Sequence, residues 1–275
     1  MGGTGSLMQG KRGLIMGVAN DHSIAWGIAD AVAKQGAELA FTYQGESFGR
    51  RVKPLAEKAG AKLVIPCDVD KEDELDSCFS EIEKEWGKLD FLVHAIAYSD
   101  KSELKGRYLD TTRKNFRHTL AISCYSFTAV AQRAVPLMTD GGSLLTLSYI
   151  GAERVTPNYN VMGVAKAALE ASVRYLAADL GPDNIRVNAI SAGPMRTLAG
   201  SAINNARFVF RWTKDHAPMH RELSLEEVGS AGLYLLSDLS QGVTGEVHHV
   251  DCGYHAVSIP HPARMQTQDK PREEE

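Results

Sequence analysis

Seven short apolar, β-rich runs, at residues 14–18, 38–43, 62–66, 91–94, 143–148, 185–190 and 246–250, alternate with longer segments of helical spacing. That rhythm predicts a parallel sheet, because parallel neighbours need a crossover, and a helix is the usual one. Crossovers of one hand, repeated, give a doubly wound sheet with helices on both faces, a Rossmann-like α/β domain. Helical periodicity is clearest at Ile24, Ile28 and Val32, and at Ala165, Leu169, Val173, Leu176 and Leu180, each set forming one buried stripe. No internal repeat or linker interrupts the pattern, so one domain is expected over 10–256, with poorly ordered tails at 1–9 and 257–275. The segment 195–220 breaks the rhythm. It mixes Phe208, Phe210 and Trp212 with basic residues and shows no clean period. An insertion of this kind reads as a lid over a site, or else as surface helices packed on a neighbouring subunit.

Composition narrows the function. Thirty Lys and Arg against 34 Asp and Glu leave a net charge of -4, with no basic excess to follow a phosphate backbone or an anionic membrane. Nucleic acid and membrane are therefore not expected partners. Cys67, Cys78, Cys124 and Cys252 show neither C-x-x-C spacing nor a partnering His cluster, which argues against a disulfide framework and a structural metal site. A reducing cytoplasm fits that usage, as does the lack of a secretory-type leader.

The first strand runs into Gly17-Val-Ala-Asn-Asp-His-Ser23-Ile24, a turn that opens straight into a helix and is built of small residues. Helix N-termini present N–H groups and partial positive charge, so a dinucleotide pyrophosphate belongs there. The spacing is not G-x-G-x-x-G, and the turn also reads as a plain strand-to-helix connection with Ser23 or Asp21 as N-cap. The second strand ends in Gln44 where many NAD enzymes place a carboxylate. Gln44 is suited to adenosine contacts. Arg50 and Arg51 are candidates for a 2′-phosphate, but also for a solvated helix face. After the third strand, Asp68 and Val69 read as an adenine contact or as a helix cap.

The fifth strand delivers Ser148 and Tyr149, and Pro157 stands where a helix carrying Tyr159 and Lys166 should begin. Seven residues are about two turns, which sets phenol and ammonium on one face. Beyond the carboxyl ends of the strands, that face would border the cofactor crevice, although taken alone the pair also reads as a partly buried aromatic beside a snorkelling lysine.

Four segments now combine: Gly17 through the Ser23-Ile-Ala-Trp-Gly-Ile-Ala29 helix start, Leu147-Ser-Tyr-Ile-Gly-Ala-Glu153, the stretch 159–166, and Asn188-Ala-Ile-Ser-Ala-Gly-Pro-Met-Arg-Thr-Leu198. Together they resemble the short-chain dehydrogenase/reductase superfamily, and within it the bacterial NADH-dependent enoyl-acyl-carrier-protein reductases. The Tyr of the superfamily's Tyr-x-x-x-Lys is here Met162, and the Ser usual thirteen residues before it is Tyr149. Two phenols with a wider Tyr-x6-Lys spacing resemble machinery for reducing a double bond conjugated to a thioester.

The resemblance implies that Tyr159 donates a hydrogen bond to the enolate oxygen, that Lys166 holds the nicotinamide ribose, and that Tyr149 orients substrate or walls the pocket. It implies cofactor contacts at Gly17, Ser23, Ile24, Gln44, Asp68, Val69, Ile96, Lys166, Met195, Arg196, Thr197, Leu198 and Ala199, and a substrate-side role for Ser99. NADH is the implied cofactor, with NADPH second, and the implied partner is an acyl-carrier protein; such a partner is acidic, so Arg207, Arg211 and Lys214 are candidates for its docking surface, or else ordinary solvated charge. A homotetramer is implied as well. Ala97 departs from the glycine frequent in relatives and adds a methyl near the pocket. His94 is expected simply to pack at a strand end. A ketoacyl or alcohol dehydrogenase of the superfamily, and an NAD(H)-binding paralogue without turnover, are the alternatives.

Overall fold

The computed structural model describes residues 6–198, 200 and 206–259. Its centre is a seven-stranded parallel sheet of order β3-β2-β1-β4-β5-β6-β7, formed by β1 (Arg12–Met16), β2 (Glu38–Tyr43), β3 (Leu63–Pro66), β4 (Phe91–His94), β5 (Gly142–Ser148), β6 (Ile185–Ala192) and β7 (Val247–Val250). Alternation along the strands splits their side chains between two cores. Leu14, Met16, Leu92 and Leu144 pack beneath α3 (Glu72–Trp86), α5 (Ser126–Ala134) and α6 (Asn160–Leu180). Ile15, Phe41, Val93 and Leu145 pack against α1 (Ile24–Ala33), α2 (Gly45–Lys58) and α8 (Leu225–Leu236). The anticipated stripes fall as expected, with Ile28, Val32, Ala165, Leu169 and Val173 fully buried. Strand order reverses between β1 and β4, so their carboxyl ends open the crevice where ligands bind in such sheets.

Several boundaries differ from expectation. The first strand ends at Met16, two residues early, because Gly17 turns to φ 97. Of the tails expected at 1–9 and 257–275, residues 1–5 and 260–275 lie outside the described residues. Met8, however, is fully buried and donates its N–H to Gln35 O at 2.9 Å, which puts the packed boundary before residue 10. The aperiodic stretch contains α7 (Ala206–His216), whose dense aromatic residues mask an amphipathic pattern: Thr213 and His216 are buried while Arg207, Phe208, Arg211 and Lys214 are exposed. Between α4 (Arg113–Leu120) and α5 the helix widens into a π turn at Ala121–Tyr125, a distortion often found beside functional sites.

Candidate active site

At the crevice floor a side chain on Gly17 would put its Cβ 2.1 Å from Ala95 O. Only glycine lets the loops after β1 and β4 approach this closely. Ser23 holds the N-cap position of α1 without capping it. Its hydroxyl instead accepts the N–H groups of Ala19 at 3.0 Å and Asn20 at 3.1 Å, curling the loop and leaving the helix end uncapped by any side chain. The simple cap reading of Ser23 is thus replaced by a loop-shaping one.

At the far end of the crevice Gln44 donates through Nε2 to Asp68 Oδ2 at 3.0 Å, so two residues named separately from the sequence form one unit. Asp68 does not cap α3. Lys71 occupies that position, and Asp68 Oδ1 instead accepts Asp70 N–H at 3.1 Å. Val69 is half-buried beside it, whereas Arg50 and Arg51 are exposed on α2.

A cavity of about 680 Å³ lies at the centre. Ile24, Ile96, Lys166, Met195 and Thr197 line it, and Tyr149, Tyr159, Met162, Leu198 and Phe210 are among the groups completing the walls. Helix α6 begins at Asn160 with Tyr159 at its N-cap, later than Pro157 led us to expect, because Asn158 and Asn160 take φ values of 62 and 40. The phenol and Lys166 still reach the same cavity. A Cβ on Gly163 would lie 2.7 Å from Gly151 O, and one on Gly151 2.5 Å from the Tyr159 ring, so two glycines let α6 and the turn at Ile150–Ala152 clamp that ring. Tyr149 meets it edge-on, with centroids 5.1 Å apart. Burial raises both phenols, Tyr149 to about 12, so each remains a protonated donor at neutral pH.

Lys166 is 7% exposed and donates to Leu147 O at 2.6 Å. Burial lowers its pKa to about 8, against the raising influence of Cys124 and Glu170. His94 does more than pack. It is fully buried, with Nδ1 3.1 Å from Thr146 Oγ1 and Nε2 2.8 Å from Ser126 Oγ, and burial, followed by the Lys166 charge, lowers its pKa to about 3. A neutral imidazole therefore ties β4 to β5 and α5 without adding charge under the lysine. Ser99 lines the cavity, yet its hydroxyl accepts from Asn115 Nδ2 at 3.1 Å and Thr119 Oγ1 at 2.9 Å. Its hydroxyl anchors the cavity wall. Ser123 of the π turn fixes the same loop through the N–H and carbonyl of Tyr98, at 2.9 and 3.0 Å.

Beyond the cavity Arg196 pairs with Glu222 at 3.2 Å, and Thr197 Oγ1 accepts Gly200 N–H at 2.9 Å. Ala199 lies outside the described residues. The sequence reading missed Glu170, a carboxyl 7% exposed that is hydrogen-bonded to Ser148. Its spacing of four from Lys166 was the available signal.

Comparison with known proteins agrees with this geometry. The model of the family described as enoyl-(acyl carrier protein) reductase matches residues 17–255. A Rhizobium meliloti (strain 1021) protein named enoyl-[acyl-carrier-protein] reductase [NADH] 2 is 63% identical over 254 residues, covering 92% of this chain and 95% of its own. The crystal structure of an enoyl-(acyl-carrier-protein) reductase from Anaplasma phagocytophilum in complex with NAD superposes with a TM-score of 0.91 at 61% identity, covering 94% of this chain and 98% of that one. A Bacillus cereus enoyl-acyl carrier protein reductase, crystallised with NADP+ and an indole naphthyridinone, gives 0.90 at 50% identity, covering 92% and 99%. With the match spanning most of the chain and the cavity built on Tyr149, Tyr159 and Lys166, this protein belongs to the enoyl-(acyl carrier protein) reductase family.

Proposed function

We propose that the chain reduces the trans-2 double bond of enoyl-acyl-carrier-protein thioesters with NADH, the last reductive step of fatty-acid elongation. The observation that carries this reading is the buried Tyr159–Tyr149 pair and Lys166 facing one largely apolar cavity at the strand-order switch point. The residues present fit a dinucleotide. Gly17 admits close approach, α1 offers an uncapped N-terminus, and Gln44 with Asp68 forms a polar end for adenosine. Gln44 resting on a carboxylate favours ribose hydroxyls over a 2′-phosphate, which Asp68 would repel, and this supports NADH above NADPH.

When bound, the dinucleotide supplies a hydride to the substrate β-carbon. Negative charge then develops on the thioester oxygen, and the Tyr159 hydroxyl, kept neutral by burial, donates a hydrogen bond to it. A donor placed in advance in a dry pocket contributes most as that charge grows. Lys166, held by Leu147 O, would hold the nicotinamide ribose through its ammonium, a positioning task. Tyr149 braces the Tyr159 ring edge-on. Solvent supplies the α-carbon proton.

We read 195–220 as a lid, since its Met195, Leu198 and Phe210 are among the residues lining the cavity. Arg207, Arg211 and Lys214 are exposed on α7, whose Val209 and Phe210 line the cavity, which supports docking of an acidic acyl-carrier protein there. Four free cysteines accord with work in the cytoplasm, and Tyr125, Val164 and Tyr175, exposed on the π turn and α6, accord with a homotetramer. Among the described residues no helix is long and apolar enough to cross a membrane. The test is a mixture of protein with trans-2-enoyl thioester, carried on acyl-carrier protein or coenzyme A, with NADH and NADPH oxidation followed separately. Enoyl-dependent NADH loss is expected. Turnover of a β-ketoacyl thioester alone would move the assignment to carbonyl reduction.

A further inference from the structure

Glu170 is a buried carboxyl that the chemistry above leaves unused. It lies one helical turn beyond Lys166 on α6, and such positions neighbour each other on a helix surface. The hydroxyl of Ser148 donates to its Oε1, and Ser148 is the last residue of β5, immediately before Tyr149. We propose that Glu170 is a positioning residue of the reductase: its carboxylate offers Lys166 an opposite charge one helical turn away and, through Ser148, fixes the strand end from which Tyr149 enters the cavity. The inference rests on the reading above, in which Lys166 holds the cofactor.

The surroundings of the two groups are specific. Facing Glu170 are Ser148 from β5, Glu153 after the turn that follows it, His249 from β7, and Arg174 and Lys166 from α6 itself; Tyr159 at the helix N-cap also feels its charge. His249 is held by Glu153 at 2.8 Å and stacks on His255 at 4.2 Å, which in turn binds Asp251 at 2.9 Å. Facing Lys166 are the Leu147 carbonyl, Cys124 of the π turn and neutral His94. Glu153 is already paired with His249, and among the described residues Cys124 and then the Glu170 carboxyl raise the lysine's proton affinity. Burial raises the pKa of Glu170 too, opposed by Ser148, and the nearby Glu153 charge raises it further against His249 and Arg174.

The experiment measures NADH affinity against pH by fluorescence titration, with the pH profile of kcat/KM beside it, for the unaltered protein and for Glu170→Gln, Glu170→Asp and Lys166→Arg. Glutamine has the same shape and still accepts from Ser148, so the charge alone is removed. In the unaltered protein NADH affinity should fall as pH rises through about 8, where Lys166 loses its proton. Lys166→Arg should lack that step, because guanidinium stays charged. Glu170→Gln should show it about one pH unit lower, the size expected for losing a close opposite charge, and Glu170→Asp should keep it in place. A step in Glu170→Gln that coincides with the unaltered protein's overturns the inference. So does uniform weakening at every pH, which marks a structural role only, or an equal displacement in Glu170→Asp. If the unaltered protein has no step, or Lys166→Arg retains it, the role assigned to the lysine fails along with the inference.

Discussion

Replacing Lys166 by methionine, nearly equal in length and apolar, should uncouple stability from function in a pH-dependent way. Burial lowers the lysine from 10.5 to about 8. A tenfold change in proton affinity corresponds to about 1.4 kcal/mol, so the charged side chain costs the folded state roughly 3 kcal/mol at neutral pH. With only 7% of the residue exposed, solvent relieves little of this. The sign follows from which state releases its proton first. Below pH 8 both folded and unfolded chains hold the proton and the cost is complete. Between about 8 and 10.5 the folded chain releases it while the unfolded chain retains it, so stability contributed by this site climbs with pH. Methionine also removes the bond to Leu147 O, at about 1 to 3 kcal/mol, which makes the net change at any one pH small and hard to read. The pH dependence is free of that ambiguity, because the carbonyl loss is the same at every pH. Urea unfolding of both proteins without cofactor, at matched protomer concentration, should show the methionine variant's relative stability falling by about 2 to 3 kcal/mol from about pH 7 to pH 10. A difference that stays flat across that range would mean the folded lysine titrates near its ordinary value, and the burial argument would be wrong.

Tyr159→Phe keeps the ring that packs against Tyr149 and loses only the hydroxyl, so kcat should fall by about 10²- to 10³-fold while NADH titrations stay nearly unaltered; full turnover in that variant refutes the donor role. Gly163→Ala sets a methyl 2.7 Å from Gly151 O and should push α6 off the turn that clamps Tyr159, costing about 1 to 3 kcal/mol and lowering turnover per folded molecule. Thermal unfolding combined with kcat checks both effects. Gly229→Ala sets one 2.5 Å from Gly27 O where α8 crosses α1, and should cost a similar amount of stability, read from the urea midpoint.

Why the fold was so legible is seen in Leu14, Ile15 and Met16, each buried completely, alternate members going to opposite cores. A strand covered on both faces must be apolar throughout, and that run survives any uncertainty about its ends. Ends depend on backbone conformation, which composition encodes weakly. Asn158 and Asn160 adopt positive φ where Pro157 alone pointed to a helix start, and Gly17 stops β1 early for the same reason. The aromatic residues of α7 hid its period because Phe208, Phe210 and Trp212 fall on several faces of one helix; Phe208 is exposed while Phe210 lines the cavity.

The site divides along a similar line. Tyr159 and Lys166 were legible because a spacing of seven on one helix determines a shared face, whatever the surroundings. Partnerships across the sheet were not. Gln44 with Asp68, His94 with Thr146 and Ser126, and Ser148 with Glu170 each join residues at least 22 positions apart, and only strand register together with helix packing on the sheet brings them together. Burial among those distant partners sets the ionisation state of what the motif supplies. A tyrosine and a lysine at this spacing on an exposed helix would be an ordinary phenol and a solvated ammonium. Enclosed beside neutral His94, against the Leu147 carbonyl and within one turn of Glu170, the same pair becomes a neutral donor and a lysine that titrates near pH 8. The motif specifies the reacting groups, and their burial behind the sheet's carboxyl ends specifies the proton each one carries.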